Sequence, residues 1–278
     1  MLKVSRLSFP GLGIGEFNVN SVAFTIFGRD VAWYGVIITL GMVLACLYVM
    51  HRAKQNGIKE DDVLDLALFV IPFGVIGARL YYVIMEIDHY DSLLDVLAIW
   101  NGGLAIYGGI IAGGITAFFV AKYKKINILL LLDILAPAVM IGQILGRWGN
   151  FMNAEAYGGP TDLPWRMGIH TSFSETYVHP TFLYESLWNL LGFLILNFFF
   201  KKKQYNGQIF FGYIVWYGFG RFFIEGLRSD SLYLFGTSIR TSQLVAALCV
   251  LAGGGMLIYK EVKRRISKKE ATMNGKDH

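Results

Sequence analysis

The sequence is short of charged residues and of cysteine, and each shortage narrows the possible functions. Charged side chains make up 16% of the 278 residues, whereas soluble globular domains carry about 25%. An ordinary soluble domain is therefore excluded. The two cysteines, Cys46 and Cys249, both lie inside apolar runs. We expect neither a disulfide nor a metal site from them and interpret both as small apolar fillers.

Other common features are missing as well. Residues 1–20 contain no apolar stretch long enough for a cleavable signal peptide, so the first membrane span is expected to act as its own targeting signal. Gly11, Gly13 and Gly15 are spaced like a nucleotide-binding loop, but they follow no predicted strand and open no predicted helix. The sequence has no internal repeat and no low-complexity linker, and it predicts no nucleic-acid partner.

Apolar residues are abundant, at 55% of the chain, and they are grouped in long runs. Runs of about 20 such residues predict transmembrane helices. We therefore predict an all-α integral membrane protein, a single membrane domain over 1–278. The shorter run Leu93–Trp100 predicts an interfacial or re-entrant segment. The seven predicted spans are 31–50, 63–85, 104–121, 126–145, 180–200, 208–227 and 241–259.

The distribution of Lys and Arg predicts the orientation of the spans. Most of these residues follow spans one, three and five or lie in the tail 260–278, and such loops are normally cytoplasmic. The N-terminus and the loop 153–179 are then outside, and the C-terminus is inside. The basic tail could also bind anionic lipid of the inner leaflet. The cations of the inner loops are Arg52, Lys54, Lys59, Lys122, Lys124, Lys125, Lys201, Lys202 and Lys203.

Three arginines, Arg79, Arg147 and Arg221, fall in or at the edge of predicted spans. Intramembrane charges are costly and usually mark functional sites. Span two enters from inside, so Arg79 lies roughly 9 Å below the outer boundary. Arg221 has a similar depth, and Arg147 ends span four. A shared anionic partner beneath the outer headgroups would suit all three, since a guanidinium binds phosphate bidentately. Snorkelling or pairing with a carboxylate is the alternative for each.

Two motifs surround these arginines. Tyr217, Arg221 and Glu225 are spaced i, i+4 and i+8, so they share a helix face on which Glu225 can neutralise and orient Arg221. A plain structural ion pair is the alternative. The second motif is the run Gly146-Arg147-Trp148-Gly149-Asn150-Phe151-Met152-Asn153-Ala154-Glu155. Its amides, guanidinium and carboxylate would suit a glycerol–phosphate headgroup, whereas a helix C-cap or an ordinary loop would not explain the cluster.

Further candidates lie at the start of other spans. Tyr107 is flanked by glycine pairs, which favour close helix packing or a backbone bend that admits a ligand. Tyr34 opens span one, where aromatic residues are often interfacial anchors. Glu185 lies about one and a half turns inside span five and could pair with an arginine. His179 is a possible base, although a surface histidine is the alternative.

These motifs together resemble the prolipoprotein diacylglyceryl transferase family along nearly the whole chain. The most specific element is the run from Gly146 to Glu155. The resemblance implies seven spans, an outside N-terminus, a cavity open to the outer leaflet of a bacterial plasma membrane, and no metal or cofactor. It implies transfer of a diacylglyceryl group from phosphatidylglycerol to the lipobox cysteine of a prolipoprotein, through a thioether, with release of glycerol 1-phosphate. The other matching elements are Trp33-Tyr34-Gly35, the glycine block around Tyr107, His179-Pro180, Leu183-Tyr184-Glu185 and the Tyr217–Arg221–Glu225 stripe.

The resemblance also suggests a role for each candidate. Arg147 and Arg221 would hold the phosphate, and Glu225 and Tyr217 would orient Arg221. Asn150 and Glu155 would hold the headgroup glycerol or shape the mouth of the site, and Tyr107 and Tyr34 would lie near the reacting carbon. Tyr107 replaces a histidine that many members have, and tyrosine is a weaker base, so the group that takes the thiol proton stays open. The predicted catalytic residues are Arg147, Arg221, Tyr107 and Glu225, and the predicted substrate-binding residues are Arg147, Asn150, Glu155, Gly158, Tyr34, Tyr217 and Arg79. An anion transporter and a lipid-binding protein without chemistry are the competing functions.

Overall fold

The computed structural model describes residues 4–90, 92–99, 102–171, 174–229, 231, 233–234 and 237–274. Two compact units divide the chain. The first contains the residues up to Ala45 together with those from Leu135 onward, and the second contains Cys46–Ile134.

Most of the described residues are helical, and a helix occupies each of the seven segments predicted to span a membrane. Six of these helices are long and apolar enough to cross one. The other, Gln208–Leu227, carries Arg221 and Glu225 and falls outside that set. A membrane protein with several apolar helices is therefore confirmed, while the count of seven crossings stays a prediction. The helices are α1 (Trp33–Gln55), α2 (Glu60–Met85), α3 (Leu93–Leu97), α4 (Ile106–Tyr123), α5 (Ile128–Met152), α6 (Thr181–Phe200), α7 (Gln208–Leu227) and α8 (Thr241–Asn274).

The expectation of an all-α chain is wrong, because short strands occupy both the N-terminal segment and the predicted outside loop. Four of them form an antiparallel sheet in the order β2-β1-β5-β6, and the other two form a hairpin. One face of the four-stranded sheet buries an apolar cluster that includes Leu7, Val19, Met167 and Phe182. Strands this short leave no long apolar run in the sequence. The strands are β1 (Val4–Phe9), β2 (Ile14–Asn20), β3 (Val22–Ile26), β4 (Arg29–Ala32), β5 (Met167–His170) and β6 (Glu175–Val178).

Several helix ends differ from the prediction. Helix α5 continues to Met152 rather than ending at residue 145, because polar residues interrupt the apolar run but do not break backbone hydrogen bonding. Helix α8 continues to Asn274, since the Lys, Arg and Glu residues of the basic tail favour helix. The predicted short segment Leu93–Trp100 contains the five-residue helix α3, and Trp100 lies outside the described residues.

In the second unit, helices α2 and α4 pack at glycine. A methyl group added at Gly108 would lie 2.2 Å from the carbonyl oxygen of Gly77 and 2.4 Å from Cβ of Tyr81. A methyl group added at Gly77 would lie 2.2 Å from Cβ of Ala112. The two backbones therefore approach each other as closely as small residues allow.

We expect Gly108→Ala to destabilise the protein by about 1–3 kcal/mol, because the added methyl group would force the two helices apart. Thermal unfolding in detergent would measure the loss. Gly114→Ala on the same helix is the matched control, since no atom lies within 4 Å of its added methyl group. Equal melting temperatures for the two variants would contradict this account of the packing.

Candidate active site

Three helices of the first unit meet at one carboxylate, that of Glu185 in α6. Arg147 of α5 donates from Nη2 to Oε1 of Glu185 at 2.7 Å. Arg221 of α7 donates from Nη1 to Oε2 of the same residue at 3.0 Å. Each carboxylate oxygen thus accepts from a different arginine, and Glu185 fixes the distance between the two guanidinium groups.

A second carboxylate lies behind Arg221. Nη2 of Arg221 is 2.6 Å from Oε2 of Glu225, one helical turn further along α7. The backbone oxygen of Glu225 accepts hydrogen bonds from Arg240 and Ser231. These contacts hold the end of α7 and the position of the Arg221 guanidinium.

The two arginines form the accessible side of this cluster. The side chains of Arg147 and Arg221 retain 21% and 17% of their surface, whereas those of Glu185 and Glu225 retain 3% and 2%. The carboxylates offset the cost of burying the positive charges. Guanidinium groups held in this way are suited to binding an incoming anion with oxygens spaced like those of a phosphate.

A polar chain continues from Arg147 toward the end of α5. Nη1 of Arg147 donates to Oδ1 of Asn150 at 3.0 Å. The Asn150 amide donates in turn to Oε1 of Glu155 at 2.9 Å, and Asn153 donates to the same oxygen at 3.1 Å. The run that follows Gly146 in sequence is therefore one connected network in space.

The turn that carries Glu155 has an unusual backbone. Its two neighbours, Ala154 and Ala156, adopt φ values of 48° and 57°, a left-handed conformation that costs non-glycine residues energy. The backbone N–H of Glu155 donates to the carbonyl oxygen of Asn150 at 3.1 Å. The strained turn directs Glu155 back toward the end of the helix.

Two more predicted residues, Tyr34 and Gly158, take part in close contacts that only glycine permits. A methyl group at Gly149 would lie 2.6 Å from the ring of Tyr34, so glycine lets that ring pack directly against α5. Gly158 is buried, and its N–H donates to the carbonyl oxygen of His179 at 2.9 Å. A methyl group at Gly158 would lie 2.8 Å from the carbonyl oxygen of Leu227. Gly158 thus contacts both the segment before α6 and the last residue of α7.

Comparison with known proteins identifies the family to which the chain belongs. The family described as prolipoprotein diacylglyceryl transferase matches residues 21–259 of this chain. The chain belongs to the prolipoprotein diacylglyceryl transferase family. A relative from Finegoldia magna is 47% identical over 254 residues, which cover 91% of this chain and 99% of the relative. A relative from Lysinibacillus sphaericus is 44% identical, covering 88% of this chain and 93% of its own length. A third, from Enterococcus faecalis, is 46% identical, covering 89% and 91%. All three are named phosphatidylglycerol–prolipoprotein diacylglyceryl transferase.

Within this family member, the structure connects five of the predicted site residues in one network. These are Arg147, Asn150, Glu155, Arg221 and Glu225. Glu185 joins its two halves although it is absent from the predicted site set. The sequence signal for Glu185 was a carboxylate inside an apolar run, and such a group needs a cationic partner.

The remaining predicted residues have other surroundings. Tyr217 stacks on Tyr213 with ring centroids 5.8 Å apart, one turn before Arg221. Tyr107 and Arg79 belong to the second unit. Tyr107 is the second residue of α4 and is 41% exposed. Arg79 is 7% exposed and contacts backbone carbonyl groups of its own unit. The roles assigned to all of these residues stay predictions.

Proposed function

We propose that the protein transfers the diacylglyceryl group of phosphatidylglycerol to a cysteine thiol of a prolipoprotein, the first step of lipoprotein maturation. Membership of the family and the names of its relatives support this reaction. The observation in the structure that supports it is the pair of arginines on one buried carboxylate, an arrangement whose charge and geometry suit a phosphate.

The chemistry requires a sulfur–carbon bond to form and a carbon–oxygen bond to break. The substrate cysteine attacks as its thiolate at the carbon that bears the phosphate ester oxygen. Glycerol 1-phosphate leaves with the electrons of the broken bond. Arg147 and Arg221 stabilise the charge that develops on that phosphate, while Glu185 and Glu225 hold the two guanidinium groups. Asn150 and Glu155 offer polar groups to the headgroup glycerol.

The proposal includes a location. The excess of Lys and Arg after α1, α4 and α6 and along the end of α8 favours a cytoplasmic C-terminus. Arg147 and Arg221 then face the outer leaflet of the plasma membrane, where the lipid substrate and a lipobox cysteine would both be accessible. Proteolysis of a C-terminal tag in sealed, inside-out vesicles would test this orientation, and protection of the tag there would refute it.

The activity is tested with purified protein, phosphatidylglycerol and a lipobox peptide. We expect the peptide to gain the mass of one diacylglyceryl group and glycerol 1-phosphate to appear in equal amount. Arg6→Ala is a control for loss of an arginine, since Arg6 is an exposed residue paired only with Glu16 among the ion pairs of the described residues. Folded protein that binds the lipid but leaves the peptide mass unchanged would exclude the transferase and favour simple lipid binding or transport.

We expect the double replacement Cys46→Ala and Cys249→Ala to retain transfer activity within about twofold, because the nucleophile belongs to the substrate. Both cysteines are free and partly buried in α1 and α8. Initial rates of peptide modification would measure the effect. Complete loss of turnover by folded protein would show that the enzyme's own thiol takes part.

A further inference from the structure

Arg79 of α2 is a buried arginine whose hydrogen bonds go to the backbone. Its Nε donates to the carbonyl oxygen of Val96 at 2.8 Å, and its Nη2 donates to that of Asp95 at 2.7 Å. Its Nη1 donates to the carbonyl oxygens of Gly102 and Gly103 at 2.7 and 2.9 Å. No carboxylate among the described residues forms an ion pair with Arg79. Four carbonyl oxygens therefore stabilise its positive charge.

This arrangement leaves little of the guanidinium for a ligand. A guanidinium has five N–H groups, and the four hydrogen bonds use all but one of them. The guanidinium carbon also lies over the ring of Tyr90, 5.2 Å from the ring centroid. Bidentate binding of a phosphate needs two parallel N–H groups, so Arg79 in this conformation cannot hold a phosphate as Arg147 and Arg221 can.

The carbonyl groups that Arg79 binds belong to non-helical backbone and to the end of α3. Gly102 and Gly103 have φ values of 87° and 76°, which favour glycine. Irregular backbone at membrane depth is tolerated only where protein groups satisfy it. The Arg79 side chain donates these hydrogen bonds to the backbone both before residue 100 and after residue 101. A methyl group at Gly103 would lie 2.5 Å from Nη1 of Arg79, so glycine is needed for this contact.

Ala78 and Gly77, which precede Arg79 in α2, contact the residue before α4 and the first turn of α4. The N–H of Ala105 donates to the carbonyl oxygen of Ala78 at 3.0 Å, and Gly108 packs against Gly77. Three consecutive residues of α2 therefore hold the backbone before and after Tyr107. The Tyr107 side chain itself remains partly exposed.

We infer that Arg79 is a positioning residue for the transfer reaction, which fixes the backbone leading into Tyr107 and does not bind the lipid phosphate. The inference rests on the proposed function and on the predicted role of Tyr107 near the reacting carbon. It assigns the buried charge of α2 to holding the backbone of its own unit and leaves phosphate binding to the arginines of α5 and α7.

The test is Arg79→Lys combined with Tyr107→Phe in a double-mutant cycle. Lysine keeps the charge but cannot reach four carbonyl groups from one nitrogen. We expect Arg79→Lys to lower kcat at least ~10-fold, because small displacements of a reacting group are costly. The KM for phosphatidylglycerol should stay within about twofold. In the Tyr107→Phe background, Arg79→Lys should cost less than about threefold, since the two residues act as one unit. Hydrogen exchange should accelerate in residues 92–99 and 102–107.

The control is Arg29→Lys, which changes an exposed arginine of β4 and should leave kcat and KM unchanged. A raised KM with unchanged kcat would make Arg79 a lipid ligand and overturn the inference. Fully additive effects, or full activity of Tyr107→Phe, would also overturn it. If Arg79→Lys does not fold, Gly103→Ala perturbs the same contact and should reproduce the loss of kcat. If the wild-type protein transfers nothing, the proposed function fails, while the exchange rates still test the attachment.

Discussion

Replacing Arg221 with alanine should reduce diacylglyceryl transfer by at least ~100-fold, since removing one preorganised group that stabilises transition-state charge costs about that much. Arg221 is bound to Glu185 at 3.0 Å and lies 2.6 Å from Glu225, so its guanidinium is held before any lipid arrives. The variant would leave both carboxylates without this cation, and they would repel the phosphate. Steady-state rates of glycerol 1-phosphate release would measure the effect.

One further variant separates charge from geometry at this position, and a second serves as a control. Arg221→Lys keeps one positive charge but loses the planar pair of N–H groups, and we expect an intermediate loss. Arg6→Ala should leave the rate unchanged. An Arg221→Ala enzyme with wild-type rate and a normal melting temperature would remove this residue from the reaction.

The second large effect concerns stability. We expect Glu185→Gln to destabilise the protein by about 3–5 kcal/mol, the range measured when one partner of a buried ion pair is removed. Glutamine fills nearly the same volume, so the loss would arise from the charge. It would leave Arg147 and Arg221, both largely buried, facing each other without the carboxylate between them. Thermal unfolding in detergent would report the change.

Glu16→Gln is the matched control for Glu185→Gln. Glu16 is about half exposed and pairs with Arg6 at 3.3 Å, and such surface pairs contribute up to about 1 kcal/mol. Phosphatidylglycerol should partly restore the Glu185→Gln variant, since an anion bound to both arginines would replace the missing charge. Equal melting temperatures for Glu185→Gln and wild type would contradict the central role of this carboxylate.

Local patterns in the sequence predicted local structure well. The i, i+4 spacing of Arg221 and Glu225 predicted their ion pair because a helix brings such residues together whatever its neighbours are. Apolar runs likewise located the helices, and Gln208–Leu227 has the predicted bounds. The family resemblance is also confirmed. These features depend on residues close to one another in the chain.

The features that the sequence did not predict depend on distant residues. The predicted pairing of Glu185 with an arginine is confirmed, but its sharing between two arginines 38 and 36 positions away depends on the packing of α5, α6 and α7. The backbone partners of Arg79 are a second example, because carbonyl groups leave no side-chain signature in a sequence; its contact with lipid stays a prediction. The sequence does not predict the sheet because its strands are short and because β1 pairs with β5 from a distant part of the chain.

The central place of β1 in its sheet has a consequence for how the protein is made. β1 lies between β2 and β5, and Arg6 is paired with His170. During synthesis, the hairpin of β1 and β2 can form early, but one edge of β1 must wait until five helices have been made before its second neighbour exists. That exposed edge could meanwhile pair with another chain. Mutations that slow insertion of the intervening helices should therefore favour aggregation of nascent chains through their N-terminal strands.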